Sequence, residues 1–249
     1  MNQPGIALIT GASRGLGLGI ARAYARLGWR LVLTARGTEA LNAAASELAG
    51  HTDVVAIAGD VADQQHAERL VNTGLERFGQ IDVLINNASA LGPSPLPELA
   101  DWPVQNLEEV LRTNVAAPLK LTQLVLPGMR ARHSGLIINI TSDAGVEAYP
   151  TWGGYGASKA ALEHLSRVLA AELEGSGIRV YVVDPGDMDT EMHRAAEPGI
   201  DLSHLPKPDV VAPAFVRLLD EPATFGRFQA QQLIDSLSPS RGSLSEVST

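Results

Sequence analysis

The chain has 249 residues, a length that suits one large α/β domain or two small ones. It contains no cysteine, which excludes a disulfide framework, a thiolate metal site and a cysteine nucleophile. Nineteen basic against 28 acidic residues leave a net charge of −9, so neither nucleic acid nor an anionic membrane is an expected partner.

Hydrophobic residues at 45% and charged residues at 19% describe a globular chain. No run reaches the roughly 18 apolar residues that a bilayer span needs. The opening Met1-Asn2-Gln3-Pro4-Gly5 carries no basic segment, so no secretory signal is expected. With the missing cysteines, this predicts a reducing, cytoplasmic compartment.

In chain order, short apolar runs alternate with helical spacing. Ile6–Thr10, Leu31-Val32-Leu33, and the runs at 54–57, 81–85, 136–140 and 180–183 are rich in Val, Ile and Leu. They are continuous rather than alternating, the pattern of strands covered on both faces of a parallel sheet. Between them, Leu18, Ala21, Ala25 and Leu27, then Leu41, Ala44, Ala45 and Leu48, then Leu70, Val71, Leu75 and Phe78 recur at helical intervals. Strands separated by helices imply right-handed βαβ units and a doubly wound α/β domain of about seven strands, with helices on both faces. Residues 1–234 read as one such domain. Residues 186–208 read as a long loop with short helical pieces, and 235–249 as a polar tail.

Thr10-Gly11-Ala12-Ser13-Arg14-Gly15-Leu16-Gly17 joins the first strand to the first helix. Glycine permits the tight turn and the close backbone approach that a pyrophosphate needs, and the helix amino end favours an anion. The spacing is neither Gly-x-Gly-x-x-Gly nor a P-loop. Sites that prefer NAD carry an acid at the end of the second strand, on the ribose 2′-hydroxyl. Here that strand ends Leu33-Thr34-Ala35-Arg36. Arg36, with Arg14 in the glycine turn, suits a 2′-phosphate, so NADP(H) is the expected cofactor.

Tyr155 and Lys159 stand four apart in Tyr155-Gly156-Ala157-Ser158-Lys159, on one face of a helix continuing through Ala161, Leu162, Leu165, Val168 and Leu169. An ammonium beside a phenol is expected to lower its pKa towards neutral proton exchange. Ser142 ends the fifth strand, where a doubly wound sheet binds its ligands, and can donate to a substrate oxygen.

Together with Asp60-Val61, Asn86-Asn87-Ala88, Asn114, and Pro185-Gly186 with Thr190, these residues make the sequence resemble the short-chain dehydrogenase/reductase family, in its compact branch, as far as about Leu233. The resemblance implies a single Rossmann domain and NADP-dependent hydride transfer between the nicotinamide and a carbonyl or alcohol. It implies that Tyr155 gives or takes the proton, that Lys159 holds the nicotinamide ribose, that Ser142 orients the carbonyl, and that Asn114 holds a relay water. Gly11, Ser13, Arg14, Gly15, Leu16, Gly17 and Arg36 would bind the phosphates. Asp60 and Val61 would contact the adenine, Asn87 and Ala88 the adenosine side, and Pro185, Gly186 and Thr190 the carboxamide. Ser89 departs from the pattern, because the family usually has glycine there.

Two other readings share these residues: an NADP-binding sensor or scaffold without turnover, and a reductase of pterins or other heterocycles. The intact Asn114, Ser142, Tyr155 and Lys159 disfavour the first. The six histidines form no metal-binding spacing and read as surface residues, with His193 in the loop over the substrate. Tyr149, Trp152, Met188 and Met192 suggest an apolar pocket. Surplus apolar faces between Leu107 and Met129 (Val115, Ala116, Leu119, Leu124) and after Tyr155 (Ala160, Leu165, Ala171) suggest a homodimer or homotetramer.

Overall fold

A computed structural model describes residues 4–235. The tail expected from 235 onward lies outside these, apart from Asp235 at the end of the last helix. Seven strands form one parallel sheet in the order β3-β2-β1-β4-β5-β6-β7. They are β1 (Ile6–Thr10), β2 (Arg30–Ala35), β3 (Val54–Ala58), β4 (Val83–Asn86), β5 (Gly135–Ile140), β6 (Ile178–Asp184) and β7 (Phe225–Gln229). The helices that connect them are α1 (Gly15–Arg26), α2 (Thr38–Leu48), α3 (Gln64–Phe78), α4 (Val104–Leu111), α5 (Ala117–Arg132) and α6 (Gly153–Glu172). Beyond β6 come α7 (Glu191–Ala196), α8 (Pro208–Val211) and α9 (Pro213–Arg217), and α10 (Ala230–Asp235) follows β7.

Two cores lie on opposite faces of the sheet, and the strand pleat sends alternate residues into each. Ala7 and Ile9 of β1 pack with Ile20, Tyr24 and Phe215, whereas Ile6 and Leu8 pack with Leu70, Val125 and Met129. All four β1 residues are fully buried, which is why the run carries no polar alternation. Burying each such large side chain contributes roughly 1.5–3 kcal/mol. The edge strands β3 and β7 are only half-buried. In β7, Phe225-Gly226-Arg227-Phe228-Gln229 lacks the continuous apolar run, so its position is not evident in the sequence.

On α1 the buried stripe is Ile20, Ala21, Tyr24 and Ala25, while Leu27, expected on that face, lies just past the helix end and is exposed. His66 overturns its surface reading. It is 2% exposed on α3, and its Nε2 lies 2.8 Å from Thr34 Oγ1. A polar partner inside the core makes this burial tolerable.

The chain leaves β3, β2 and β1 on one side and β4 to β7 on the other, so the order reverses between β1 and β4. Ligand crevices open at the carboxyl ends of strands at such a switch point. Among the described residues, no helix is long and apolar enough to cross a membrane.

Candidate active site

A cleft of about 1170 Å³ opens at the carboxyl ends of the strands. Its walls include Gly11, Ser13, Arg14, Gly15, Leu16, Arg36, Asp60, Val61, Asn87 and Ala88 on one side, and Ser142, Tyr155, Lys159, Pro185, Gly186 and Thr190 on the other. Two expected site residues, Gly17 and Asn114, stand behind the wall.

Gly17 works from beneath. A Cβ there would meet the Gly11 carbonyl oxygen at 2.4 Å and Asn87 Nδ2 at 2.5 Å. Gly11 and Gly15 adopt φ of +65° and +56°, where side chains other than glycine are strained. Asn87 fastens the turn from β4: its Nδ2 donates to the Thr10 carbonyl at 2.8 Å. In return, Thr10 Oγ1 accepts from the Asn87 and Ala88 N–H groups at 3.0 and 2.9 Å. No side chain caps the start of α1, and no acid occupies its first turn. Its first amides are therefore open to an anion in the cleft, which is the chemistry a pyrophosphate requires.

Arg36 is exposed at the end of β2, with no acidic partner among the described residues. Arg14 pairs with Glu191 of α7, so the glycine turn and the loop after β6 meet across the cleft mouth. The Asp60 carboxylate accepts from the Ala62 N–H at 2.9 Å, which shapes the bend beside Val61.

Tyr155 is 8% exposed and Lys159 2%. Lys159 Nζ lies 5.3 Å from the Tyr155 ring centroid and donates to the Ile140 carbonyl at 2.9 Å. Burial lowers the Lys159 pKa to about 8. Burial also pushes the Tyr155 phenol well above its ordinary value; the Ser89 hydroxyl draws it back, and the Asp184 and Asp143 carboxylates push it further up. In the chain alone, burial thus outweighs the lowering expected from an ammonium beside the phenol. The ammonium faces the ring and the Ile140 carbonyl, and desolvation dominates.

Ser142 Oγ donates to Asp143 Oδ1 at 2.9 Å and accepts from the Ala144 N–H at 3.2 Å. Asn114 is 1% exposed and sits in a widened helical turn, Arg112–Ala116, between α4 and α5. Such π-type turns occur frequently at functional sites. Its side chain is fully engaged: Nδ2 donates to the Ala90 carbonyl and to Ser158 Oγ, both at 2.9 Å. Oδ1 accepts from the Ala90 N–H at 2.7 Å and from Ser89 Oγ at 3.1 Å. Any water at Asn114 must therefore be held through its main chain. Ser89, in the sequence only a departure from glycine, touches Asn114 and bears on the phenol's electrostatics.

Pro185-Gly186 turns at a Gly186 φ of +71°, with the Gly186 N–H donating to Asp184 Oδ1 at 2.9 Å. Thr190 caps α7 by accepting from the His193 N–H at 3.2 Å. Trp152, Met188 and Met192 line the cleft as expected, and His193 does too. Tyr149 does not; it lines a neighbouring surface groove and donates to Asp143 Oδ2 at 2.9 Å. Leu91, Leu96, Trp102, Ala144 and Ala196 pack around Tyr155 as the apolar floor.

The family model for short chain dehydrogenases matches residues 5–201, and the chain belongs to that family. It is therefore an oxidoreductase of a family that uses nicotinamide cofactors. Among curated proteins, it is 39% identical over 194 residues to a rhamnolipids biosynthesis 3-oxoacyl-acyl-carrier-protein reductase of Pseudomonas aeruginosa, covering 76% of this chain and 75% of that one. It is 37% identical to a serine 3-dehydrogenase of Agrobacterium fabrum, covering 75% and 73%. Among solved structures, a short chain dehydrogenase from Shigella flexneri, complexed with NADP, superposes with a TM-score of 0.84 at 29% identity, covering 93% of this chain and 98% of that one.

Proposed function

We propose that this chain is an NADP-dependent carbonyl reductase or alcohol dehydrogenase acting on a small-molecule substrate. The observation that carries the reading is one cleft that joins the glycine turn and the acid-free Arg36 to Tyr155, Lys159 and Ser142. The Shigella relative, complexed with NADP, supports the choice of cofactor.

A bound NADP(H) would supply the hydride. The first amides of α1 would hold its pyrophosphate, and Arg36 with Arg14 its 2′-phosphate, in place of the Arg14 contact to Glu191. Asp60, Val61, Asn87 and Ala88 would hold the adenosine, and Pro185, Gly186 and Thr190 the carboxamide. Ser142 turns its hydroxyl from Asp143 to the substrate oxygen, and Tyr155 delivers its phenolic proton there. Lys159 holds the ribose hydroxyls and, with a pKa of about 8, is poised to exchange protons close to neutral pH. Asn114 completes the relay through its main chain.

We also propose a cytoplasmic homodimer or homotetramer. Leu119 on α5 and Leu165 and Val168 on α6 are 41%, 37% and 42% exposed, apolar side chains that a second copy would cover. Light scattering at micromolar concentration tests this; a monomer rejects it.

The function is tested by following NADPH and NADH oxidation with a panel of aldehydes and ketones. Turnover with a preference for NADPH is expected. Equal efficiency with the two cofactors rejects the NADP assignment, and binding without turnover on any carbonyl rejects the enzyme.

A further inference from the structure

Four successive residues at the end of β5 are each held by a side chain from another element. Asn139 Nδ2 donates to Ser166 Oγ at 2.8 Å. The Ile140 carbonyl accepts from Lys159 Nζ at 2.9 Å, and Thr141 Oγ1 donates to Glu163 Oε1 at 2.7 Å. The Ser142 carbonyl accepts from Arg227 Nη2 at 3.4 Å. The first three partners lie at one-turn intervals on α6, so one helix face runs along the strand end. The fourth reaches in from β7, two strands away.

Glu163 and Arg227 are also partners of each other. Arg227 Nε lies 3.1 and 3.3 Å from the two Glu163 carboxylate oxygens, and Glu163 is 2% exposed. Arg167 Nη2 adds a contact to Glu163 Oε2 at 3.3 Å from the solvent side. Arg227 Nη2 further lies 3.7 Å from Asp184 Oδ2, and the other oxygen of that carboxylate holds the Gly186 N–H. A single guanidinium thus touches the end of β5, the end of β6 and, through Asp184, the Pro185-Gly186 turn.

Burying a carboxylate such as Glu163 is a poor route to stability, because desolvation offsets its attraction to Arg227, whose side chain is 26% exposed. Its cost calls for another use, and its geometry shows one. Both charged groups address the segment that carries Ser142, Glu163 from α6 and Arg227 from β7, two strands away in the sheet.

We propose that Glu163 and Arg227 are positioning residues, which fix Ser142 and the Pro185-Gly186 turn relative to Tyr155. The proposal rests on the reductase reading above. Neither residue touches the reacting atoms; each acts through the strand end it holds. A displacement of about 1 Å in such a site can cost on the order of 10²-fold in rate.

The test compares the double variant Glu163→Gln/Arg227→Met, which removes both charges of the pair, with Arg227→Lys and the unaltered protein. It measures kcat and KM with NADPH and a carbonyl that the unaltered protein reduces, NADPH Kd by fluorescence titration, and thermal melting. The double variant is expected to melt near the unaltered protein and to keep KM and NADPH Kd within about twofold, while kcat falls about tenfold or more. Arg227→Lys, which keeps the charge without the fork, is expected to lie between the two. A folded double variant with unaltered kcat overturns the proposal, and so does a loss shared equally by kcat, KM and Kd. Should the double variant fail to fold, Arg227→Lys decides: lowered kcat with unchanged KM and Kd supports the proposal, and unchanged kcat overturns it. If the unaltered protein reduces no carbonyl, the reductase reading itself falls, and the positioning role falls with it.

Discussion

The two halves of the cleft are built from different materials. Around β1, β2 and β4 the site is mostly backbone: positive-φ glycines, uncapped amides of α1, and the Asn87 and Thr10 contacts that hold the turn. Around β5, β6 and α6 it is made of buried polar side chains. Lys159, Glu163, Asn114, Ser158 and Asp184 are all at most 4% exposed, and each is satisfied by a hydrogen bond. A phosphate can be met by main-chain N–H groups that almost every residue carries, so that half tolerates varied side chains as long as glycine keeps the path open. Proton transfer needs particular groups at particular positions, and burial forces each to have a partner.

The two halves separate most sharply at Tyr155. Replacing it with Phe keeps the ring and removes only the hydroxyl, so kcat is expected to fall by about 10²–10⁴-fold. NADPH Kd, measured by titration beside the rate, should barely move, since the backbone half is intact.

Gly17→Ala strikes the other half. Its Cβ would meet the Gly11 oxygen at 2.4 Å, so the turn or α1 must shift. NADPH affinity is expected to weaken by roughly 10–100-fold, in line with the 1–3 kcal/mol typical of overpacking. Circular dichroism should show the helices retained.

Lys159 distinguishes the buried half through pH. Its folded pKa of about 8 lies below the unfolded value of about 10.4. Between those values the unfolded chain binds more protons, so this group makes stability rise with pH from 8 towards 10. Below pH 8 both states are protonated and the burial penalty is constant. In cofactor-free protein, the melting temperature is expected to gain on that of Lys159→Met across this window, by the equivalent of roughly 2 kcal/mol. A constant gap between the two would refute the buried, easily deprotonated lysine.

The smallest change is Arg36→Asp. It should weaken NADPH by about tenfold, as expected for losing a charge-assisted contact, and improve NADH use. The kcat with saturating cofactor should be unaffected.

Much of this is legible in the sequence. The continuous apolar runs announce a parallel sheet because both faces of β1, β4, β5 and β6 are covered. The glycine turn, Arg36, and the pairing of Tyr155 with Lys159 are local patterns, in which short spacing on one element decides what stands beside what. β7 is not legible, because a half-buried edge strand needs no apolar run. His66 reads as a surface residue, since nothing near it in the chain reveals that Thr34, 32 residues away, satisfies it in the core.

The sequence by itself therefore determined the fold class, the glycine turn after the first strand and the helix face carrying Tyr155 and Lys159. Each of these depends on neighbours a few residues apart. Only the tertiary structure decided the electrostatics of the site. It raised the phenol by burial, set Ser89 and two carboxylates around it, and engaged every side-chain hydrogen-bonding group of Asn114. It also brought Arg227 across two strands to Glu163, 64 positions earlier. Desolvation and Coulomb interactions depend on distance through space, and parallel strands joined by long crossovers bring together residues that the sequence keeps far apart.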